Sequence, residues 1–179
     1  TPRAGNLQTG ARMTNSTRLL HHCMVAATLT AGLSAAGGDW VRKSSVSGDL
    51  AAPNPGRQQT CLVTADFDQD GIVDFAVGER TQTPSVVWYK FTGKSWDKFV
   101  IEAEALKPEA GGDVCDIDGD GDLDLILGQD ASGSAIWWWE NPYPEFSRPW
   151  KRRIIKEAGA RKHHDQAVGD FDGDGKPEL

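Results

Sequence analysis

Cysteine is scarce in this sequence, with three residues among 179, and this scarcity excludes a small scaffold held together by disulfides. Cys61 and Cys115 stand at unrelated distances from the acidic motifs that follow them, so we interpret both as small buried apolar residues. A bridge between these two residues is the alternative. The third cysteine, Cys23, lies in an apolar stretch near the N-terminus.

The short motifs of several large enzyme classes are also missing. The chain has no nucleophile elbow, phosphate-binding loop, dinucleotide fingerprint or zinc-binding helix motif. Its formal net charge is −7, and no cluster of Lys and Arg is interleaved with aromatic residues, so we do not expect a nucleic-acid partner. The apolar run at 19–33 is too short and too polar to span a bilayer, and we predict no transmembrane segment.

Half of the 26 acidic residues fall within three motifs, at 66–74, 116–124 and 170–178. Each motif places carboxylates at alternate positions around a glycine at position six, which is the pattern of a calcium-binding loop. Such a loop supplies side-chain oxygens from its odd positions and a backbone carbonyl from position seven. The predicted side-chain ligands are Asp66, Asp68, Asp70, Asp74, Asp116, Asp118, Asp120, Asp124, Asp170, Asp172, Asp174 and Glu178, and the predicted carbonyl donors are Ile72, Asp122 and Lys176. The sequence therefore predicts calcium as the cofactor.

The residues after each motif exclude an EF-hand, which needs a bidentate Glu at position twelve and a helix beyond it. Position twelve is Val77 in the first motif and Leu127 in the second. Both stand in short apolar runs that end at a glycine, and such runs are typical of buried strands. Because no convincing helical periodicity occurs outside the N-terminal apolar stretch, we predict an all-β fold.

The motifs and the strands that follow them resemble the FG-GAP and VCBS-like repeats, which occur in the propeller of integrin α-chains and in many secreted bacterial proteins. The resemblance covers 60–179. All three motifs fit the form D-x-D-x-D-G-x-x-D, with Glu178 in place of the last Asp and Gln69 in place of the usual small residue at position four. The resemblance implies that each repeat is one blade of a β-propeller, with the calcium loop between two of its strands.

We therefore predict a β-propeller fragment within 60–179, with two four-stranded antiparallel blades and the beginning of a third. Propellers have about four to eight blades, so the chain is expected to be the N-terminal part of a longer protein. Tryptophans recur with the repeat. We predict that Trp88 is equivalent to Trp137, and Trp96 to Trp150.

The N-terminal part of the chain has a different character. Met13 is followed by the apolar run at 19–33 and by small residues at 34–36, which is the pattern of a secretory signal peptide. Residues 1–36 are therefore predicted to be a leader. The mature protein is expected to be secreted or held at the cell surface, in a periplasmic or extracellular location.

Residues 37–59 are predicted to hold one strand and a linker. Trp40 begins a segment, 40–46, that is similar to the segments headed by Trp96 and Trp150. We predict that this segment is the last strand of a blade without the rest of that blade. In a closed propeller such a strand pairs with the C-terminal blade and covers an open sheet edge.

Five residues outside the acidic motifs are candidates for ligand contact. Strand alternation is expected to turn either Trp138 or Trp139 outward, where an indole could stack on a sugar ring, although most repeat tryptophans are expected to serve packing. His163, His164 and Asp165 could hold a transition metal or act as acid and base. An exposed turn with locally bonded histidines is the alternative for these three residues.

A propeller fold alone does not fix a function. We predict a secreted calcium-binding propeller that serves as an interaction scaffold, for adhesion or for recognition of a protein or a carbohydrate. The alternative is a carbohydrate-active propeller enzyme, such as a polysaccharide lyase or a sugar dehydratase, with most of its site outside this fragment. The sequence indicates no particular catalytic residue.

Overall fold

The computed structural model describes residues 40–179, so the predicted leader lies outside the described residues. This part of the chain contains eight β-strands and no helix, which confirms the all-β prediction for it. The strands are β1 (Gln59–Ala65), β2 (Asp74–Glu79), β3 (Val86–Phe91), β4 (Trp96–Glu102), β5 (Asp113–Cys115), β6 (Asp124–Gly128), β7 (Ile136–Glu140) and β8 (Lys151–Lys156).

The strands form two four-stranded antiparallel sheets, and within each sheet the strands lie side by side in the order of the sequence. Strands β1–β4 are the first blade and β5–β8 the second. After β8 the chain enters a third acidic loop, whose ends are joined by an isolated bridge between Gly169 and Glu178. This architecture confirms the predicted propeller fragment, with two blades and the beginning of a third.

The local sequence explains why these strands form. In β1, buried Cys61, Val63 and Ala65 alternate with exposed residues, which is the pattern of a strand with one covered face. In β6, every residue from Asp124 to Gly128 is buried. A continuous apolar run suits this strand because both of its faces are covered.

The two blades repeat each other in register over their first three strands. Trp88 pairs with Ala76 across β3 and β2, and Trp138 pairs with Ile126 across β7 and β6. The equivalent of Trp88 is therefore Trp138. Its predicted equivalence with Trp137 is wrong by one residue, because the stretch from the acidic loop to the third strand has the same length in both blades.

The fourth strands of the two blades match as well. Lys90 pairs with Asp97 in the first blade, and the pair at the same place in the second blade is Glu140 with Lys151. Trp96 directly precedes Asp97, and Trp150 directly precedes Lys151, so these two tryptophans are equivalent in the two blades. This register confirms the predicted equivalence of the second tryptophan pair.

The core between the two sheets is rich in aromatic side chains. Trp88 is fully buried, and its ring centroid lies 4.9 Å from that of Phe99 in its own blade and 4.9 Å from that of Phe146 between β7 and β8. Phe67, in the first acidic loop, is also fully buried and lies 5.6 Å from Trp150. One apolar cluster thus joins the first loop to both blades.

A charged contact also connects the blades. The Glu102 carboxylate, at the end of β4, accepts hydrogen bonds from Trp139 Nε1 (3.2 Å) and Arg152 Nη1 (2.6 Å) of the second blade. Glu102 and Trp139 are both buried. Because a buried carboxylate needs such partners, this contact favours one relative position of the two blades.

Among the described residues, 40–46 form no strand, and the pairing of this segment with a C-terminal blade stays a prediction. Residues 40–44 have no regular structure, and a turn follows at 45–48. The Asp49 carboxylate closes this turn by accepting a hydrogen bond from the backbone N–H of Ser44 (2.9 Å). The polar groups of the segment thus bond locally, and no strand of the described chain pairs with it.

Glu79 ends β2 on the side away from the acidic loop, and its side chain is buried. The carboxylate accepts hydrogen bonds from the Thr81 hydroxyl (2.6 Å), from the backbone N–H groups of Thr81 (2.7 Å) and Gln58 (3.1 Å), and from the N–H of Gln82. Burial raises the pKa of this carboxyl, but the hydrogen bonds outweigh burial and hold its pKa below the ordinary 4.5.

Replacing Glu79 with glutamine should lower the free energy of unfolding at neutral pH by about 1–3 kcal/mol, because an amide NH₂ would face donors that the carboxylate accepts. A carboxyl with a lowered folded pKa stabilises above its unfolded pKa, and that stabilisation is lost as the pH falls through the folded pKa. Urea titrations of both proteins at neutral and acidic pH measure this. The difference should shrink in acid, and an equal difference at both pH values would contradict the assigned role.

Candidate metal centre

Each of the first two acidic loops connects the first two strands of a blade, and the third follows the second blade. In every loop, oxygens of three or four carboxylates lie within 4.8 Å of one another. The clustered residues are Asp66, Asp68 and Asp70; Asp116, Asp118 and Asp120; and Asp170, Asp172, Asp174 and Glu178. Among the predicted side-chain ligands, Asp74 and Asp124 lie outside these clusters.

The carboxylate at position one organises each loop. Its Oδ2 accepts a hydrogen bond from the backbone N–H of the glycine at position six, at 2.8 Å in the first loop, 3.0 Å in the second and 2.9 Å in the third. The aspartate at position five accepts from the N–H of position seven in all three loops. The loops are therefore three copies of one backbone conformation.

The residue at position four of each loop has a backbone conformation that the sequence analysis did not predict. Its φ is positive in every loop, 56° at Gln69, 79° at Gly119 and 81° at Gly173. Glycine adopts this conformation without the steric penalty of a side chain. Gln69 tolerates it while its Nε2 donates to the carbonyl of Gly121 in the second loop (3.0 Å), so the two loops are in direct contact.

The carboxylates at position nine of the first two loops connect each loop to the third strand of its blade. Asp74 accepts hydrogen bonds from Trp88 Nε1 (3.0 Å) and from the backbone N–H of Phe91 (2.9 Å). Asp124 accepts from the backbone N–H groups of Asn141 (2.9 Å) and Ile117 (3.0 Å). Both carboxylates are buried, and in this geometry they anchor the loops.

Three buried carboxylate oxygens of the first two loops have no hydrogen-bond partner among the described residues. They are both oxygens of Asp68, which belongs to the first cluster, and Oδ1 of Asp122, beside the second. Asp68 Oδ2 forms an ion pair with Lys90, so Oδ1 of Asp68 and Oδ1 of Asp122 are left unpaired. An ionised oxygen that is removed from water and left unpaired is strongly destabilising. A hard cation is the natural partner for such oxygens, so these donor sets fit calcium.

The charge of the second loop supports the same fit. Burial, followed by repulsion from Asp120 and Asp124, raises the pKa of Asp122 to about 7. Burial also raises the pKa of Asp124 to about 6, against the opposing effect of its two backbone hydrogen bonds. A divalent cation among the carboxylates would outweigh this repulsion and favour their charged forms.

The three residues at position seven differ in their side chains. The Asp122 side chain is buried, although the sequence predicted only a carbonyl donor there, whereas Ile72 and Lys176 are exposed. Lys176 Nζ lies 3.1 Å from Asp174 Oδ2 in the third loop. The role of these three residues as backbone-carbonyl ligands of calcium stays a prediction.

The structure adds Lys90, which the sequence reasoning did not consider. Lys90 lies in β3, and its ammonium group forms an ion pair with the Asp68 carboxylate. The hydrogen bond to Asp68 raises the pKa of Lys90, against burial, and Asp70 and Asp74 raise it further. The sequence shows only that a lysine stands in the predicted third strand. Its contact with the first acidic loop becomes visible once the strand register is known.

The two tryptophans proposed for ligand contact are both buried in the described part of the chain, and their contact with a ligand stays a prediction. Trp139 is fully buried and Trp138 is 8% exposed. The guanidinium of Arg153 lies over the Trp138 ring, at 5.5 Å from its centroid. The prediction that one of these indoles faces outward is therefore wrong, because both faces of β7 are covered.

The histidine segment lies in irregular structure before the third loop. His164 Nδ1 lies 3.0 Å from Asp165 Oδ2, and both side chains are mainly exposed. His163 Nε2 lies 3.5 Å from Lys156 Nζ. No third ligand joins these groups in the metal clusters of the described chain, so their role in ligand contact remains a prediction.

The cysteines outside the predicted leader form no disulfide. Cys61 is buried and Cys115 half-buried, and both thiols are free. Burial raises the pKa of the Cys61 thiol to about 12, so this thiol is unreactive at neutral pH. The interpretation of Cys61 as a small buried apolar residue is confirmed.

Comparison with protein families gives one match. Residues 116–179, from the second acidic loop to the end of the third, match the family model described as an FG-GAP-like repeat. Comparisons with curated proteins and with solved structures give no match. In the part of the chain that the structure describes, no helix is long and apolar enough to cross a membrane.

Proposed function

We propose that this chain, which carries an FG-GAP-like repeat, is a calcium-stabilised propeller scaffold that is exported and binds a protein or carbohydrate ligand. One observation carries the calcium assignment. The same acidic loop occurs three times, with its carboxylates clustered each time and with an unpaired buried oxygen in the first two copies.

Calcium suits these loops better than magnesium does. The clustered donors are all carboxylate oxygens, and calcium accepts six to eight oxygen ligands in flexible geometry. Magnesium requires a near-ideal octahedron and gives up its water reluctantly. A bound calcium ion would supply positive charge among carboxylates that otherwise repel one another.

The residues of the second loop would have different roles in such a site. Asp116 holds the backbone turn through the Gly121 N–H, while Asp118 and Asp120 present free oxygens to the cluster. Asp124 fixes the loop to Asn141, just after β7. An ordered loop therefore ties three strands of a blade together at one end, which gives a scaffold a rigid surface for its ligand.

Export is the second part of the proposal and has separate support. The signal-peptide pattern at 13–36 lies before the first blade. Extracellular calcium modules work with dissociation constants as weak as about 10⁻⁴–10⁻³ M. An exported protein meets calcium at levels that fill such loops, whereas a cytosolic protein does not.

Thermal unfolding of the full chain tests the calcium assignment. We expect the lowest Tm with chelator, little change with millimolar magnesium, and a clear increase with millimolar calcium, because an ion that binds only the folded state stabilises it. Three coincident unfolding curves would show that the loops are acidic turns without a structural ion.

A further inference from the structure

We propose that Lys90 is a built-in cation of the first loop, so that this loop binds calcium more weakly than the second loop does. The inference rests on the proposed calcium-binding function and adds an order of occupancy to it. At low calcium the second loop would fill while the Lys90 ammonium still balances the charge of the first.

The position of Lys90 supports this role. Its ammonium pairs with Asp68, one of the three clustered carboxylates of the first loop. The Asp68 side chain is 1% exposed and that of Lys90 is 29% exposed, so water screens this pair less than it screens a surface pair. The ammonium also lies 5.7 Å from the centroid of the Phe146 ring, which favours a cation there.

The second blade has the opposite charge at the same place. Glu140 occupies the register position of Lys90, since it pairs with the fourth-strand residue equivalent to Asp97. Its carboxylate pairs with Arg153, whose Nε lies 2.9 Å away. None of the clustered carboxylates of the second loop forms an ion pair with a Lys or Arg side chain of the described residues.

The two loops therefore offer calcium different electrostatic conditions. In the first loop the ion must share Asp68 with an ammonium group or displace it, and the two cations repel each other at short range. In the second loop the ion meets carboxylates only. The loops share one backbone conformation, and two charge differences separate them: the Lys90 ammonium at the first loop, and the buried Asp122 carboxylate of the second loop where the first has Ile72.

Competition titrations of the full chain against a calcium-binding dye test the inference. In the wild type the first-loop site should be weaker than the second-loop site, and Lys90→Met should strengthen the first-loop site about tenfold, as expected for removing one close, partly screened charge. The third loop is not used in this comparison, because Lys176 pairs with Asp174 there. Lys90→Gln gives a second, polar replacement. Lys98→Met is the matched control, because Lys98 lies in β4 of the same blade but donates to the carbonyl of Ala52 rather than to the first loop.

Two further variants assign the sites to their loops. Asp70→Ala removes a ligand of the first loop, so it should abolish the first-loop site and leave Lys90→Met without effect in the double variant. Glu140→Lys should weaken the second-loop site, whereas Glu140→Gln, which removes the ion pairs with Arg153 and Lys151 but adds no cation, should weaken it far less.

The outcomes separate this inference from the proposed function. If the wild type binds no calcium at any loop, the proposed function is wrong. If all sites bind equally and Lys90→Met and Lys90→Gln change none of them, calcium binding stands and the role of Lys90 is overturned. A weaker first loop in both variants would also overturn it, since Lys90 would then help to position Asp68.

Discussion

Replacing Trp88 with alanine should lower the free energy of unfolding by about 3–5 kcal/mol, the usual cost of removing a large buried aromatic side chain. The indole is fully buried and contacts aromatic rings of both blades. It also donates to the buried carboxylate of Asp74, which would lose a partner as well. Urea unfolding of wild type and variant measures the difference.

Trp96→Ala is the matched control for this prediction. Trp96 is only half-buried at the start of β4, and it contacts Phe75 and Phe91 rather than the core between the blades. We expect its loss to be less than half that of Trp88. Equal losses for the two variants would contradict a core centred between the two sheets.

Replacing Asp120 with alanine should lower the free energy of unfolding in the presence of calcium but not in its absence. Without calcium, the variant should be as stable as the wild type or slightly more stable, because the second loop loses one of its repelling carboxylates. With free calcium at about a hundred times the Kd, the wild type should gain about 2.7 kcal/mol from this site. The variant should lack that gain, as urea unfolding with chelator and with calcium will measure.

Asp97→Ala provides the control for Asp120→Ala. Asp97 is an exposed carboxylate in β4, outside every acidic loop. Its replacement should leave the gain in stability on adding calcium unchanged. If Asp120→Ala also retains the full gain, or loses the same stability under both conditions, Asp120 is not a calcium ligand.

The strand order of the blades was predictable because each strand carries its own signal. The alternation in β1 and the apolar run of β6 stand directly beside the acidic motifs, and each run is bounded by polar or glycine residues. The repeat then places every strand twice in the same order. Local pattern and repetition therefore sufficed for the architecture.

The equivalence of individual tryptophans was harder to predict. A row of three tryptophans at 137–139 offers three ways to align the second blade with Trp88. The strand register decides among these alignments, because it pairs Trp138 with Ile126. The prediction of an outward-facing indole was wrong for a similar reason. Alternation along the strand predicts which face of the sheet an indole lies on, but it does not show that Arg153 covers Trp138 on that face.

The acidic clusters were predictable from spacing, but their charge partners were not. Contacts within a loop, such as that of Asp66 with the Gly71 N–H, follow from adjacent sequence. The contact of Asp68 with Lys90 and that of Asp74 with Trp88 cross from the loop to the third strand. Such contacts depend on strand register, which the sequence alone leaves open.

The segment at 40–46 is similar in sequence to the fourth strands of the blades but is not part of a sheet in the described residues. Its leading tryptophan matches the fourth strands of the blades, but a strand also needs a neighbour to pair its backbone groups. Here the Asp49 carboxylate supplies the partner for the Ser44 N–H within a turn. The described residues supply this local contact and no partner strand, so the pairing with a C-terminal blade stays a prediction.

The calcium content of the full chain at saturation tests the assignment of the three loops most directly. Equilibrium dialysis against millimolar calcium, with magnesium present in excess, should retain three ions per chain, one for each carboxylate cluster. The combined variant with Asp70, Asp120 and Asp174 replaced by alanine should retain none. A wild-type chain that retains no calcium, or as much calcium as the combined variant, would contradict the assignment.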